Sequence, residues 1–77
     1  MLKDNDLKAV CEFNERIHSL ITDGYSIVFN HQVAGLYFAK LVHRNGNRVS
    51  IRLSLDDGIL SQTTNGKITF SCPMRQS

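Results

Sequence analysis

The chain has 77 residues, of which 42% are hydrophobic and 21% are charged, and its formal net charge is +2. This length allows one domain, and the composition is typical of a globular protein and not of a disordered one. A chain this short buries only about 60% of the surface that its unfolded form exposes, which leaves little room for a deep substrate pocket beside the core. The net charge is smaller than that of many dedicated nucleic-acid-binding domains.

Nothing in the sequence predicts export or membrane insertion. Met1–Asp6 contain no apolar run of the kind that a signal peptide needs. The longest apolar run, Leu36–Val42, is interrupted by Lys40 and is too short to span a bilayer. Cys11 and Cys72 do not form a disulfide framework, so we expect free thiols and a cytoplasmic setting.

The spacing of apolar residues over positions 5–23 predicts one amphipathic helix. Apolar residues recur there at three- and four-residue spacing and share one stripe, namely Leu7, Val10, Phe13, Ile17, Leu20 and Ile21. Asp4, Asn5 or Asp6 would cap its first turn, and Gly24 follows its last apolar position as a C-terminal cap. The residues expected to pack on a sheet are Val10, Phe13, Ile17 and Leu20.

After Gly24 the pattern changes to that of β-strands. We expect strands at about residues 25–31, 36–44, 47–55, 59–64 and 67–71, with 32–35 as a loose connection. Asn45-Gly46 and Asn65-Gly66 each predict a two-residue hairpin turn, and Asp56-Asp57-Gly58 predicts the turn between the hairpins. The predicted fold class is α+β. Residues 1–77 form a single domain in which one N-terminal helix packs on a four- to five-stranded antiparallel β-meander.

A two-residue turn at Asn45-Gly46 would fix the register of the central hairpin. Val42 would then oppose Val49, and successive side chains would alternate between the faces. The face expected to meet the helix carries Leu36, Phe38, Val42, Val49, Ile51, Leu53 and Leu55. The other face carries Tyr37, Ala39, Leu41, His43, Arg48, Ser50, Arg52 and Ser54. Lys40 falls on the apolar face, so either it extends past the helix edge or a bulge shifts the register.

Positive charge is concentrated in this hairpin. The segment from Gly24 to Leu55 contains no Asp or Glu, although it includes Lys40, Arg44, Arg48 and Arg52. Because one helix cannot cover both faces of a sheet, we expect the second face to be an exposed mixture of basic, aromatic and aliphatic side chains. The residues expected to bind a partner are Tyr37, Leu41, His43, Arg48 and Arg52.

Three interpretations of that surface compete. We favour a protein partner, including a second copy of the chain, because apolar residues are expected among the cations and because Tyr and Arg are enriched at interfaces. The alternative is nucleic acid, with Tyr37 stacking on bases and Arg48, Arg52 and His43 contacting phosphates. In the third interpretation the arginines are solvated side chains without a partner.

The sequence offers no catalytic, cofactor, metal or small-molecule site, so we expect neither an enzyme nor a membrane or ligand binder. Cys11 and His18 share a helix face, but seven residues separate them by about 10 Å along the axis. A single zinc ion cannot bind both at that separation. Asp56 and Asp57 are typical of a turn, and Lys67 with nearby Pro73 is typical of a protected edge strand.

Overall fold

A computed structural model describes residues 4–73, with side chains from Asp6 onward. The elements are α1 (Asp4–Thr22), β1 (Tyr25–Val33), β2 (Leu36–His43), β3 (Arg48–Ser54), β4 (Ile59–Thr64) and β5 (Lys67–Pro73). All five strands pair antiparallel in one sheet, in the order β1-β2-β3-β4-β5. The predicted α+β meander is confirmed.

The helix packs on the sheet through the predicted stripe, with one addition. Phe13 and Ile17 are buried, and Ala9, which the sequence analysis did not single out, is buried beside them. Val10 and Leu20 are partly buried against this cluster. The ends of the stripe, Leu7 and Ile21, are 50% and 43% exposed.

Two strands are longer than predicted. β1 continues to Val33, which opposes Leu36 across a two-residue Ala34-Gly35 turn, so the loose connection expected at 32–35 is wrong. β5 continues through Cys72 to Pro73, and Pro73 opposes Ile59. An edge strand tolerates a proline because its missing N–H faces away from the sheet.

The Asn45-Gly46 turn differs from the predicted one. The amide of His43 donates to the carbonyl of Asn47, and the amide of Gly46 donates to the carbonyl of His43, both at 2.9 Å. Gly46 has a φ of 98°, whereas Asn45 is not among the residues with positive φ. This geometry is a three-residue loop that ends in a left-handed glycine, so the predicted two-residue turn is wrong.

The second Asn-Gly pair adopts the conformation that the first does not. Asn65 and Gly66 have φ values of 52° and 88°, which together are diagnostic of a two-residue type I′ turn. Thr64 and Lys67 accordingly oppose each other across it. The same dipeptide therefore forms two different turns in this chain.

The longer first loop reverses the predicted faces of β2. Leu41 opposes Val49, and Ala39 opposes Ile51. All four of these side chains are buried against α1. The prediction for β3 is thus confirmed and that for β2 is wrong. Lys40 opposes Ser50 on the other face, which removes the conflict noted in the sequence.

The hydrophobic core lies between α1 and one face of the sheet. Its largest fully buried side chains include Phe13, Leu41, Ile51, Leu53 and Leu60, and each contributes about 1.5–3 kcal/mol relative to full exposure. Tyr37 borders this core, with its ring centroid 5.8 Å from that of Phe13. No other element of residues 4–73 covers the opposite face of the sheet. We call that uncovered surface the open face.

Candidate functional site

The aromatic side chains of the open face come from β1 and β2. Phe29 stacks on His31 with ring centroids 5.9 Å apart, and it meets Phe38 edge-on at 6.0 Å. The side chain of Phe29 is 47% exposed, so its ring is accessible. The ammonium of Lys40 lies 5.8 Å from the Phe38 centroid. Phe29, His31 and Phe38 thus form a ring platform, and Lys40 places a cation beside it.

The basic and hydroxyl side chains of the open face come from β3 and β4. Arg48 and Arg52 are exposed on β3 and are separated by about 13 Å, given the rise of an extended strand. Ser50 lies between them. On β4, Ser61 opposes Arg52, and Thr63 opposes Ser50. The guanidinium and hydroxyl donors of β3 and β4 therefore lie next to the ring platform of β1 and β2 on the same face of the sheet.

The registers of β1 with β2 and of β2 with β3 set the aromatic side chains of the open face next to its basic and hydroxyl side chains. Phe38 opposes His31 on one side and Arg52 on the other, and Lys40 opposes Phe29 and Ser50 in the same way. Both of these rows therefore run from an aromatic side chain to a polar or basic one. A shallow groove of about 680 Å³ crosses the face, with Lys40 and Arg48 among its lining residues.

Hydrogen bonds between the two hairpin turns hold Arg48 in place. The side-chain oxygen of Asn65 accepts from the backbone N–H of Arg48 at 2.9 Å, and its amide nitrogen donates to Oδ1 of Asn47 at 3.2 Å. The backbone N–H of Asn65 also donates to the carbonyl of Arg48 at 2.8 Å. These three contacts fix the start of β3 against the turn between β4 and β5.

The electrostatic character of the open face is positive. Within the described chain, no strand position on this face is an Asp or Glu, and Lys40, Arg48 and Arg52 form no ion pair with a carboxylate. Asp57, in the turn after β3, lines a separate depression of about 150 Å³ with Arg52. Its carboxylate accepts a hydrogen bond from the Ser54 hydroxyl at 3.2 Å.

The structure divides the five predicted binding residues between two faces. Arg48 and Arg52 lie on the open face, as predicted. Tyr37, Leu41 and His43 lie on the α1 side, and Leu41 is 0% exposed. The predicted surface of aromatic, aliphatic and basic residues on one side of the hairpin is therefore wrong in its β2 half.

Sequence reasoning missed Phe29, Phe38 and Lys40. The sequence did contain an indication of the true register of β2, because the predicted register placed the charged Lys40 on the apolar face. A shift of β2 by one position moves Lys40 to the open face, and Phe38 moves with it. The assignment of Phe29 depends on the bulge between Ile27 and Phe29, which sequence alternation cannot locate.

On the α1 side of the sheet, Arg16 joins the helix to β4 and β5. The guanidinium of Arg16 lies 3.4 Å from the Phe70 ring centroid, donates to Oε1 of Gln62 at 3.1 Å and pairs with Glu12 at 3.5 Å. This last contact is an ordinary pair between residues four apart on a helix. Cys11 is an exposed free thiol, and Cys72 is a partly buried one. Among residues 4–73 no three His, Cys, Asp or Glu side chains converge as metal ligands.

No helix in the described range combines the length and apolar character needed to cross a membrane. In comparisons with known proteins, no family model, curated protein or solved structure matches this chain.

Proposed function

We propose that this protein is a non-enzymatic binding domain that takes single-stranded nucleic acid on the open face of its sheet. One observation carries the proposal. The exposed ring of Phe29 and the partly buried ring of Phe38 share one face with Lys40, Arg48 and Arg52, and the strand positions of that face include no carboxylate.

The chemistry of the two halves fits the two parts of a nucleotide. Bases stack on Phe29 and Phe38, an interaction worth about 1–3 kcal/mol per base. Phosphates lie along β3, where Arg48 and Arg52 supply charge and Ser50 supplies a hydroxyl donor. A flat platform of this kind requires unstacked bases, which a single strand offers and a duplex does not.

Charge disfavours a second copy of the chain as the occupant of this face. A symmetric pair of open faces would place Arg48 and Arg52 against the same cations of the other copy, without an opposing carboxylate. The apolar residues that favoured a protein partner in the sequence analysis, Tyr37, Ala39 and Leu41, belong to the α1 side. An acidic protein segment is the remaining competitor, and the experiment below separates it from nucleic acid. We place this binding in the cytoplasm, which suits the two free thiols.

The test is fluorescence anisotropy with a labelled, mixed-sequence single-stranded oligonucleotide, titrated with the full chain at several salt concentrations. Contacts from Lys40, Arg48 and Arg52 predict a slope of log affinity against log salt of about −2, at roughly −0.7 per phosphate contact. Arg48→Ala with Arg52→Ala should weaken binding at least tenfold and reduce that slope to about −0.7. Phe29→Ala with Phe38→Ala should weaken binding by a similar factor and leave the slope unchanged.

The matched control is Lys8→Ala, which removes one exposed charge from α1. Binding that responds to Lys8→Ala as strongly as to the open-face variants would overturn the proposal, because the attraction would then be nonspecific. Capture of a labelled poly-glutamate peptide in place of the oligonucleotide would also overturn it and assign the face to an acidic protein.

A further inference from the structure

The two edges of the sheet differ in their protection. β5 begins at Lys67 and ends at Pro73, and a bulge interrupts its pairing with β4 after Gln62. Lysine, proline and bulges are features that discourage an edge strand from pairing with another chain. β1, Tyr25–Val33, contains no Lys, Arg, Asp, Glu or Pro. β1 has a bulge of its own between Ile27 and Phe29, but it has neither a charge nor a proline. The uninterrupted segment from Phe29 to Val33 therefore has little chemical protection on the side that no second strand covers.

Exposed apolar side chains are concentrated on the same strand. Among the described residues, half of the large hydrophobic side chains that remain exposed belong to β1, namely Ile27, Val28, Phe29 and Val33. Their exposed fractions lie between 42% and 61%. The register places Ile27 on the α1 side and Phe29 and Val33 on the open face. Apolar surface thus flanks the unpaired edge on both sides of the sheet.

We propose that β1 pairs antiparallel with β1 of a second copy, so that two five-stranded sheets join into one continuous sheet. The uncharged sequence of β1 suits this occupant, because self-pairing sets no like charges opposite each other. Pairing of β1 with β5 of another copy would meet the proline and the bulge and would continue without closure. Pairing of β1 with itself closes after two copies about a twofold axis.

The regular part of β1 defines the expected register. Between Phe29 and Val33 the pairing with β2 is uninterrupted, whereas the bulge distorts the segment before Phe29. A pairing centred on His31 sets His31 of one copy opposite His31 of the other, and Phe29 opposite Val33. Because paired residues then share a face, both helices lie on one side and the two open faces become continuous. This last consequence extends the proposed nucleic-acid site, although the dimer itself does not depend on that function.

The first test is the molar mass of the full chain by light scattering after size exclusion. The expected result is twice the chain mass of 8.7 kDa. Val33→Lys places a charge on the unprotected edge and should yield a folded monomer by circular dichroism. Ile68→Lys is the matched control, since Ile68 is 73% exposed on β5, and it should remain dimeric. A monomeric wild type, or a dimer lost only in Ile68→Lys, would overturn the proposal.

The second test fixes the register without relying on a destabilising change. In a Cys11→Ser, Cys72→Ser background, His31→Cys places two thiols opposite each other across the twofold axis, with Cα atoms about 4.5–5.5 Å apart. That separation permits a disulfide, so mild oxidation should give a covalent dimer. Thr69→Cys on β5 should not crosslink in the same background, and efficient crosslinking there instead would overturn the β1 assignment. Neither test contains nucleic acid, so failure of the dimer and failure of the proposed function are distinguishable.

Discussion

The imidazole of His43 donates through Nε2 to the carbonyl oxygen of Asp23, at 3.2 Å. Its Nδ1 accepts from the backbone N–H of Asn45 at 3.1 Å, which places the proton on Nε2. The ring also meets Tyr25 edge-on, with centroids 5.0 Å apart. His43, which the sequence suggested as a binding residue, therefore connects the end of the helix to the turn between β2 and β3.

This contact makes Gly24 sensitive to substitution. Gly24 has a φ of 107°, and a Cβ atom added there would lie 2.8 Å from Nε2 of His43. We expect Gly24→Ala to lower the free energy of unfolding by about 1–2 kcal/mol for the left-handed backbone, and further for displacement of the imidazole. Gly46→Ala is the matched control, because Gly46 has a φ of 98° and open space around its Cα. Equal losses in urea denaturation would show that the His43 contact adds nothing.

The register of β2 is testable through two of its positions that lie on opposite faces of the sheet. Leu41 is 0% exposed in the core, whereas Phe38 lies on the open face and is only partly buried. Leu41→Ala should lower the free energy of unfolding by about 2–5 kcal/mol, and Phe38→Ala should cost less although it removes a larger side chain. Urea denaturation of both variants measures the difference. A reversed order would restore the register expected from a two-residue turn.

The elements of the fold could be predicted from the sequence because their signals are local. The stripe through Phe13 and Ile17 and the alternation in β3 need no knowledge of the rest of the chain. The face of β2 could not be predicted, because it depends on whether the loop at Asn45-Gly46 holds two residues or three. That dipeptide suits both loops. The arrangement observed is the one that buries Ala39 and Leu41 under α1 and exposes Lys40.

The candidate site was predictable only in part for the same reason. Arg48 and Arg52 were placed on the correct face because β3 alternates clearly between apolar and polar residues. The aromatic half of the site lies on β1 and β2, where a bulge and a longer loop each change which face a residue occupies. The shift of one residue on β2 replaced the expected Tyr37 and Leu41 with Phe38 and Lys40, and the bulge in β1 placed Phe29 on the same face.

Arg16 is expected to stabilise the fold through Phe70 more than through Glu12. Its guanidinium lies 3.4 Å from the Phe70 centroid and donates to Gln62. A cation–π contact contributes about 0.5–2 kcal/mol, whereas a half-exposed helix pair such as Arg16–Glu12 contributes about 0.3–0.5 kcal/mol. Arg16→Ala should therefore lower the free energy of unfolding several times more than Glu12→Gln does.

A double-mutant cycle isolates the ring contact. Arg16→Ala and Phe70→Leu should together cost less than the sum of their separate losses, because each change alone already removes the interaction. Thermal or urea denaturation of the four proteins gives the coupling. Strict additivity would mean that Arg16 acts through Gln62 and Glu12 and not through the Phe70 ring.

Asn65 links stability to the proposed binding face. Its side chain bonds to the backbone N–H of Arg48 and to the side chain of Asn47, and its φ of 52° suits few residues other than glycine. Asn65→Gly keeps that conformation and loses both side-chain bonds, so we expect a loss of about 1 kcal/mol in the free energy of unfolding. Oligonucleotide affinity should fall modestly, because the start of β3 is held less firmly.

Asn65→Asp separates the hydrogen bond from the charge. The carboxylate keeps the acceptor for the Arg48 amide, so stability should fall less than in Asn65→Gly, but it introduces negative charge beside the groove that Arg48 lines. We therefore expect Asn65→Asp to be the more stable of the two variants and the weaker binder of the oligonucleotide in anisotropy titrations at low salt. The difference in affinity should shrink as salt screens the added charge. An affinity that follows stability across both variants would show that Asn65 acts only through folding and that the field of the open face does not determine binding.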